Sequence, residues 1–422
     1  MIARLPHIAF AVGAVTVVAG IVLRRLAGVT LGAPWPPSLG NLEPAAHPLL
    51  AVSVALFAAA VWGAPRLLDA KPAAVAAWLL AGTLVLRLAL AAGRGGTAQW
   101  DRVFDVGRYF EADNEYLPAL PALDYGVGFF LDRFAELVPA FPVHVAGHPP
   151  GLLLVLHWLG ISTAPGMAAL CIVVGACSAP LTYGLARTLL PEQTARIAGL
   201  LMALSPAALM FGVTSADAVF LTAGLLAAWP LAAGRRVLGA IALAVASLLA
   251  WSLLAVGAWA ALLTLRRRGP RDAIALSAVC GVALVAVHAA FAALTGFDPV
   301  GTVRATEEVY RAGVASMRPY WYWVLGSPVG FLLVLGLPIA WLALRDLAEG
   351  SPEAIAIFGV LAIAAVMGFT KAETERIWLF FAPFACLAAA RALASRPGLL
   401  TPVLAALAAQ ALLHELVFDT VW

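Results

Sequence analysis

The chain has 422 residues, of which 63% are hydrophobic and only 12% are charged, and its mean hydropathy is +0.95. Soluble domains contain roughly 45–50% apolar and about 25% charged residues, so this composition excludes an ordinary soluble fold. The net charge of +3 is small and does not indicate a nucleic-acid partner. The four cysteines lie in apolar runs without a CxxC pair, so neither disulfides nor a zinc site is predicted.

Apolar runs recur along the chain and predict an all-α, polytopic transmembrane helical bundle of about 11–13 spans, since a span needs roughly 20 apolar residues. The first run follows Arg4 as in a signal peptide, but no small-residue cleavage site comes after it, so we expect a retained helix. The stretch 236–264 is interrupted by Ser247 and Trp251 and is expected to form two short crossings. The other predicted spans are 7–27, 48–64, 72–92, 166–188, 194–212, 216–233, 272–294, 322–344, 353–369, 377–392 and 398–417.

The distribution of Lys and Arg predicts the orientation. One set of loops carries most of the basic residues with few acids, and the positive-inside rule places these loops in the cytoplasm. The segments 93–151, 295–321 and 370–376, together with Asp217, then share the extracytoplasmic face. Arg24 and Arg25 lie near the outer end of the first span and disagree with this orientation.

The insert 93–151 is the most polar part of the chain and contains eight of the 23 acidic residues. Within it, apolar residues recur at helical spacing over 127–138, and 151–160 is too short to span. Both are expected to be amphipathic helices at the membrane surface. The predicted organisation is therefore two accessory N-terminal helices (1–70), a core that includes this outer loop (71–295), a second outer loop (296–321) and C-terminal transmembrane helices (322–422).

Four short motifs on the predicted outer face carry a family resemblance. They are Glu115-Tyr116-Leu117, His148-Pro149-Pro150-Gly151, the segment from Ser205-Pro206 to Asp217, and Glu375-Arg376-Ile377-Trp378. In their order, the chain resembles the GT-C glycosyltransferases over roughly 70–400. That family of polytopic membrane enzymes includes protein O-mannosyltransferases and the lipid A aminoarabinose transferase.

The resemblance implies a GT-C fold and transfer of a sugar, of mannose or arabinose type, from a polyprenyl phosphate donor. The acceptor would be an envelope glycan, lipid or protein at the outer face of a bacterial plasma membrane. The implied catalytic acids are Glu115, Asp113 and Asp217; the paired acids of the family are not cleanly present, and Asp101 and Asp105 are rivals. The residues predicted to bind substrate are Arg376, His148, Lys371, Asp101, Asp105, Tyr116, Arg304 and Arg311.

The chemistry of such a transfer needs these residue types. A carboxylate within hydrogen-bond reach takes the proton of the acceptor hydroxyl as it attacks the anomeric carbon. The departing phosphate needs donors, and Arg gives a bidentate grip. A divalent cation between the acids and the phosphate is compatible with this chemistry but not required, and no metal ligand set is assigned. An alternative is that His144 and His148 bind a metal together. Their spacing would suit a single helix, but the intervening glycine and the following prolines disfavour a helix over these residues.

Each candidate also has a structural interpretation. Asp217 could cap a helix, Arg376 could reach the interface from a span, and Tyr320 to Trp323 could form an interfacial aromatic belt. Arg87 and His288 are the polar residues expected inside spans, where ionisable groups are usually functional. Two further classes stay open: a transporter or flippase for lipid-linked sugars, and a non-catalytic envelope-assembly protein with the same fold.

Overall fold

The computed structural model describes residues 4–38 and 40–420 and is almost entirely helical. The prediction of an all-α polytopic protein is confirmed. Within the described residues, the strands are the two-residue segments β1 (Asn41–Leu42) and β2 (Phe418–Asp419), which pair antiparallel. This pairing fastens the segment after the first helix to the C-terminal end of the chain.

The α-helices follow one another through short connections. They are α1 (Leu5–Arg25), α2 (Leu50–Gly63), α3 (Pro72–Gly95), α4 (Val127–Leu137), α5 (Val143–Ala146), α6 (Gly151–Trp158), α7 (Ala164–Ala176), α8 (Ser178–Arg187), α9 (Glu192–Ala203), α10 (Pro206–Thr214), α11 (Asp217–Ala232), α12 (Arg236–Ala246), α13 (Leu254–Arg268), α14 (Pro270–Thr295), α15 (Pro299–Ala312), α16 (Tyr320–Leu335), α17 (Leu337–Ala348), α18 (Pro352–Met367), α19 (Thr374–Ile377), α20 (Ala382–Ala394) and α21 (Leu400–Val417). Short 3₁₀ helices occupy Ala64–Leu68, Thr97–Trp100, Arg102–Phe104, Phe110–Asn114, Leu117–Tyr125, Val138–Ala140, Trp251–Leu253, Val314–Met317, Leu379–Phe381 and Pro397–Leu399.

Helix length and composition support a multi-pass membrane protein. Six continuous helical segments in the described part of the chain are long and apolar enough to cross a membrane, and some combine adjacent helices such as α7 and α8. The number rises to eight if each of two bent pairs of helices crosses once. Further apolar helices of 10–17 residues, such as α11 and α18, are shorter than a full span. The predicted 11–13 spans exceed the number that length alone supports, because proline and glycine divide several of the apolar runs.

The bundle has a buried centre and a lipid-facing periphery. Helices α9, α10 and α20 are buried along most of their length, whereas α14 buries only Ala273, Leu276 and His288. An apolar helix that the protein leaves uncovered is expected to face lipid rather than water. The site described below lies over the central helices, since α10 ends directly before Asp217.

Two of the predicted spans are broken helices. The run 194–212 bends by 52° between α9 and α10, and the run 322–344 bends by 116° between α16 and α17. The cause is local: Pro206 and Pro338 each start a new helix, and Gly336 has φ +125°. The predicted division of 236–264 into two helices is found, as α12 and α13.

The two breaks meet, and a side chain at the first break satisfies a backbone group at the second. Ser205 Oγ donates to the Leu335 carbonyl at 2.8 Å. Gln410 of α21 spans the second break: its Nε2 donates to the Leu333 carbonyl (2.7 Å), and its Oε1 accepts from the Leu337 N–H (2.8 Å). Interrupted helices at membrane depth require such partners because lipid supplies none.

Replacing Gln410 by Leu is therefore expected to destabilise the protein. The change leaves the Leu333 carbonyl and the Leu337 N–H without partners, at a cost of about 1–3 kcal/mol for a fully buried group. The cost for the Leu337 N–H is lower, because this residue is exposed. Urea unfolding in detergent, followed by intrinsic Trp fluorescence, measures the loss. Gln193→Leu, at an exposed position, is the matched control. Equal stability of both variants would contradict the bridging role.

The intramembrane Arg87 lies in a slot made by two glycines. Its side chain is fully buried, and a Cβ added at Gly212 or Gly175 would lie 2.3 Å from Arg87 Nε or 2.5 Å from Nη1. Gly212 belongs to the last turn of α10, where the negative end of the helix dipole favours a cation. His288 shares a hydrogen bond with Ser247 (2.9 Å) and its ring stacks on Trp251. These contacts account for the buried position of His288, so no catalytic role is needed to explain it.

The insert 93–151 folds onto the bundle as a series of short helices. The predicted helix over 127–138 is α4, in which Phe130, Leu131 and Phe134 face inward. The predicted helix over 151–160 is α6, whose leucines are buried in the protein while His157 and Trp158 are exposed. The first residue of α6 is a glycine, and no side chain fits there, because a Cβ on Gly151 would lie 2.2 Å from the Leu248 carbonyl oxygen.

Candidate functional site

Four segments distant in sequence bring a group of ionisable side chains together. They are the 3₁₀ helix Phe110–Asn114 with the two residues after it, the α5 region up to His148, the turn before α11, and α19. Glu111, Glu115, His144, Asp217 and Arg376 are each at most 7% exposed. Buried charges are rare unless they are paired or functional, so this cluster is the leading site in the molecule.

His144 lies between two glutamates. Its Nε2 donates to Glu111 Oε1 at 3.0 Å and lies 3.8 Å from Glu115 Oε1. Asn114 Nδ2 donates to the other oxygen of Glu111 at 3.3 Å. Burial lowers the pKa of His144, but the neighbouring carboxylates Glu115 and Glu111 more than offset this, so its pKa is raised. His144 thus supplies positive charge beside Glu115.

Glu115 is the least satisfied polar group of the cluster. Its side chain is buried, and neither carboxylate oxygen accepts a hydrogen bond from the described residues. Burial raises the pKa of Glu115, while the nearby charges of His144 and Arg376 act in the opposite direction. A buried carboxylate with two spare acceptor oxygens and a raised pKa is suited to receive a proton from a bound hydroxyl group.

Tyr116 and His148 form a second, neutral pair beside these charges. His148 Nδ1 lies 2.6 Å from the carbonyl oxygen of His144, which can only accept, so Nδ1 carries the proton. The Tyr116 hydroxyl oxygen lies 3.1 Å from the same nitrogen. Burial lowers the pKa of His148 to about 4, and this histidine is therefore neutral near pH 7.

Arg376 connects the loop cluster to the helices. Its Nη1 donates to Asp217 Oδ2 at 2.6 Å, and its Nη2 donates to Glu373 Oε2 at 3.0 Å. Ser215 Oγ donates to the same Asp217 oxygen (2.7 Å) and accepts from the Asp217 N–H (3.1 Å). Burial lowers the pKa of Arg376, but the carboxylates of Asp217 and Glu373 raise it by more than burial lowers it, so the guanidinium stays charged. Asp217 thus stands at the start of α11, as a cap would, and also in a buried ion pair.

Glu115, Asp217, Arg376, His148 and Tyr116 lie in or beside one buried cluster, but other predicted site residues do not. Asp113 is exposed, because it falls on the opposite side of the 3₁₀ turn from Glu111 and Glu115. The side chains of the remaining positions have other environments: Asp101 is half-buried, Asp105 pairs with Arg108, Arg304 is exposed, Arg311 pairs with Glu307, and Lys371 Nζ donates to the Ala315 carbonyl, while the Lys371 backbone carbonyl accepts from Arg318.

Three residues of the cluster could hold a divalent cation. One ligand atom each from Glu111, Glu115 and His144 lies within 4.8 Å of the others. A set of two carboxylates and one imidazole suits zinc or manganese. His148 does not belong to this group of three, and its Nδ1 is directed to the His144 backbone carbonyl.

Sequence reasoning assigned no site role to Glu111, Glu373 or Arg318, and it considered His144 only as a partner of His148 in a metal pair. The spacing offered no usable signal for Glu111, because residues four apart do not share a face of a 3₁₀ helix, and Glu115 lies just beyond the end of this one. The contact between Arg318 and Glu373 joins residues 55 positions apart and left no local signal.

No family model matches the sequence, and no curated protein matches it.

Proposed function

We propose that the protein is a membrane glycosyltransferase of GT-C type, which transfers a sugar from a polyprenyl phosphate to an acceptor hydroxyl group at the outer face of the plasma membrane. The observation that carries this proposal is the position of Glu115. Its carboxylate is buried near His144 and Arg376, whose charges lower its pKa, and neither oxygen accepts a hydrogen bond from the described residues. A substrate hydroxyl is the kind of group that this arrangement accepts.

The proposed reaction assigns a role to each part of the cluster. The acceptor oxygen bonds to the anomeric carbon, its proton passes to Glu115, and the bond from the anomeric carbon to the phosphate oxygen breaks with its electrons on the phosphate. Arg376 stabilises the charge that develops on that phosphate. Asp217 holds the guanidinium in place, and its negative charge favours an oxocarbenium-like sugar.

A divalent cation is compatible with this proposal. Bound by Glu111, Glu115 and His144, it would supply Lewis-acid charge near the leaving phosphate. The residues themselves bind and orient the reacting groups whether or not a cation takes part.

The decisive experiment is a transfer assay. Purified protein in nanodiscs is mixed with radiolabelled polyprenyl-phosphate mannose or arabinose and with envelope lipid and glycan acceptors. We expect label in an acceptor fraction. If labelled donor stays intact with every acceptor class while the protein is folded, the proposal fails.

Transport of a lipid-linked sugar is a second candidate, favoured by the two helix breaks that meet at Ser205 and Leu335. Transporters use discontinuous helices to form their substrate sites. Liposomes that contain the protein and donor lipid on one side separate the two functions. A transporter makes intact donor accessible on the opposite side, whereas a transferase alters the donor only when acceptor is present.

The pH dependence of transfer is expected to report the environment of Glu115. The base must be ionised, so activity falls as pH drops through the raised pKa of Glu115, above the ordinary range of glutamate. His144 and Arg376 lower this pKa, whereas Glu111 and Asp217 raise it. Replacing His144 by Gln removes one cation, and the acidic limb of the pH–rate profile should move to higher pH. A limb at the same pH, or at lower pH, would contradict this assignment.

A further inference from the structure

The segment 370–378 contains an unusual backbone conformation beside the site. Ala372 and Glu373 are consecutive non-glycine residues with φ values of +63° and +57°. This left-handed region is unfavourable for residues with a Cβ and persists only where surrounding contacts maintain it. Ala372 is fully buried, and the carboxylate of Glu373 is held at both oxygens.

Glu373 bridges two buried guanidinium groups. Arg318 Nη2 donates to Glu373 Oε1 at 2.6 Å, and Arg376 Nη2 donates to Glu373 Oε2 at 3.0 Å. The side chains of Arg318 and Arg376 are 7% and 5% exposed. Burial raises the pKa of Glu373, but Arg318 and Arg376 lower it by more, to about 2, so its carboxylate is ionised.

Two arginines that share one pair of oxygens match a phosphate group. Phosphate offers two oxygens at similar spacing, carries the same sign of charge, and accepts hydrogen bonds from arginine in the same planar geometry. Arg318 also keeps a buried Nε–H that no described group accepts. Its donor capacity therefore exceeds what Glu373 and the Lys371 carbonyl use.

We propose that Glu373 occupies the seat of a phosphate group, and that Arg318 and Arg376 bind the phosphate of a membrane lipid when the Glu373 side chain withdraws. The proposal rests on the function proposed above and adds Arg318 as a second phosphate-binding residue. Withdrawal is assisted by the backbone, since a return of residues 372–373 to a right-handed or extended conformation moves the carboxylate away from both guanidinium groups. Without ligand, Glu373 neutralises two charges that burial would otherwise leave unpaired.

Direct binding to the full-length protein in nanodiscs tests this seat. The probes are a fluorescent polyprenyl phosphate, a polyprenol of equal length and inorganic phosphate. Glu373→Gln removes the competing charge and should tighten polyprenyl phosphate binding by about tenfold, whereas Arg318→Gln should weaken it by about tenfold. Arg133→Gln, which breaks an exposed ion pair with Glu136, should bind as the wild type does.

The expected pattern is specific to phosphate. Polyprenol binding should be weak and equal in all variants, and competition by inorganic phosphate at millimolar concentration would assign the seat to a soluble phosphate instead of a lipid. If Glu373→Gln does not fold, Arg318→Gln alone decides. Wild-type affinity in Arg318→Gln, or binding no tighter in a folded Glu373→Gln variant, overturns the proposal. Phosphate-lipid binding without any sugar transfer would defeat the transferase function and leave the seat intact.

Discussion

Replacing Glu115 by Gln is expected to lower the rate of sugar transfer by about 10²–10⁴-fold, the usual contribution of a general base. Gln has nearly the same size and hydrogen-bonding reach but cannot take the acceptor proton. The measurement is the initial rate of transfer from radiolabelled donor, with donor binding determined separately. Binding should change little, because the lost function belongs to the reaction step.

Asp113→Asn is the matched comparison, two residues before Glu115 and within the 3₁₀ helix Phe110–Asn114. Because Asp113 is exposed, its variant should retain transfer within about twofold of the wild type. This outcome would replace the sequence-based expectation that treats Asp113 and Glu115 as equivalent candidates. Loss of transfer in Asp113→Asn together with full activity in Glu115→Gln would contradict the assignment of the base.

Replacing Arg376 by Met is expected to destabilise the fold by about 3–5 kcal/mol, as when one partner of a buried ion pair is removed. The change leaves Asp217 and Glu373 without the guanidinium that both contact. Chemical unfolding in detergent, followed by Trp fluorescence, gives the difference in free energy. Arg133→Met, at an exposed ion pair, should leave the stability close to that of the wild type.

A double-mutant cycle separates the ion pair from other effects of the Arg376 change. Asp217→Asn in the Arg376→Met background removes a buried charge that has lost its partner. The double variant should therefore recover stability relative to Arg376→Met, with a coupling energy within about 0.5–3 kcal/mol. Additive costs would show that Asp217 and Arg376 do not stabilise each other.

The sequence predicts the class of fold because its apolar runs are long enough to cross a membrane as helices. It also predicts that Glu115, Asp217 and Arg376 share one side of the protein, and the structure brings these three residues into one buried cluster. The sequence could have predicted the breaks in the helices, since Ser205-Pro206 and Gly336-Leu337-Pro338 interrupt apolar runs. It could not have predicted their angles, because they depend on how the two breaks pack against each other and against Gln410.

The finer composition of the site depends on local geometry and long-range contacts. Whether Glu111 or Asp113 joins Glu115 is decided by the turn of one short helix, which composition does not specify. The contacts of Arg318 and Arg376 with Glu373 depend on two left-handed residues, Ala372 and Glu373, for which the sequence offers no glycine as a signal. Arg87 likewise finds its glycine slot only after α3, α7 and α10 have packed together.

The most direct test is a structure of the Glu115→Gln variant in nanodiscs with polyprenyl-phosphate sugar added. The account predicts density for the phosphate within hydrogen-bond reach of Arg376 and the anomeric carbon of the sugar beside residue 115. Density for the donor at a different place on the protein, with the side chains of Asp217, Glu373 and Arg376 unchanged, would contradict it.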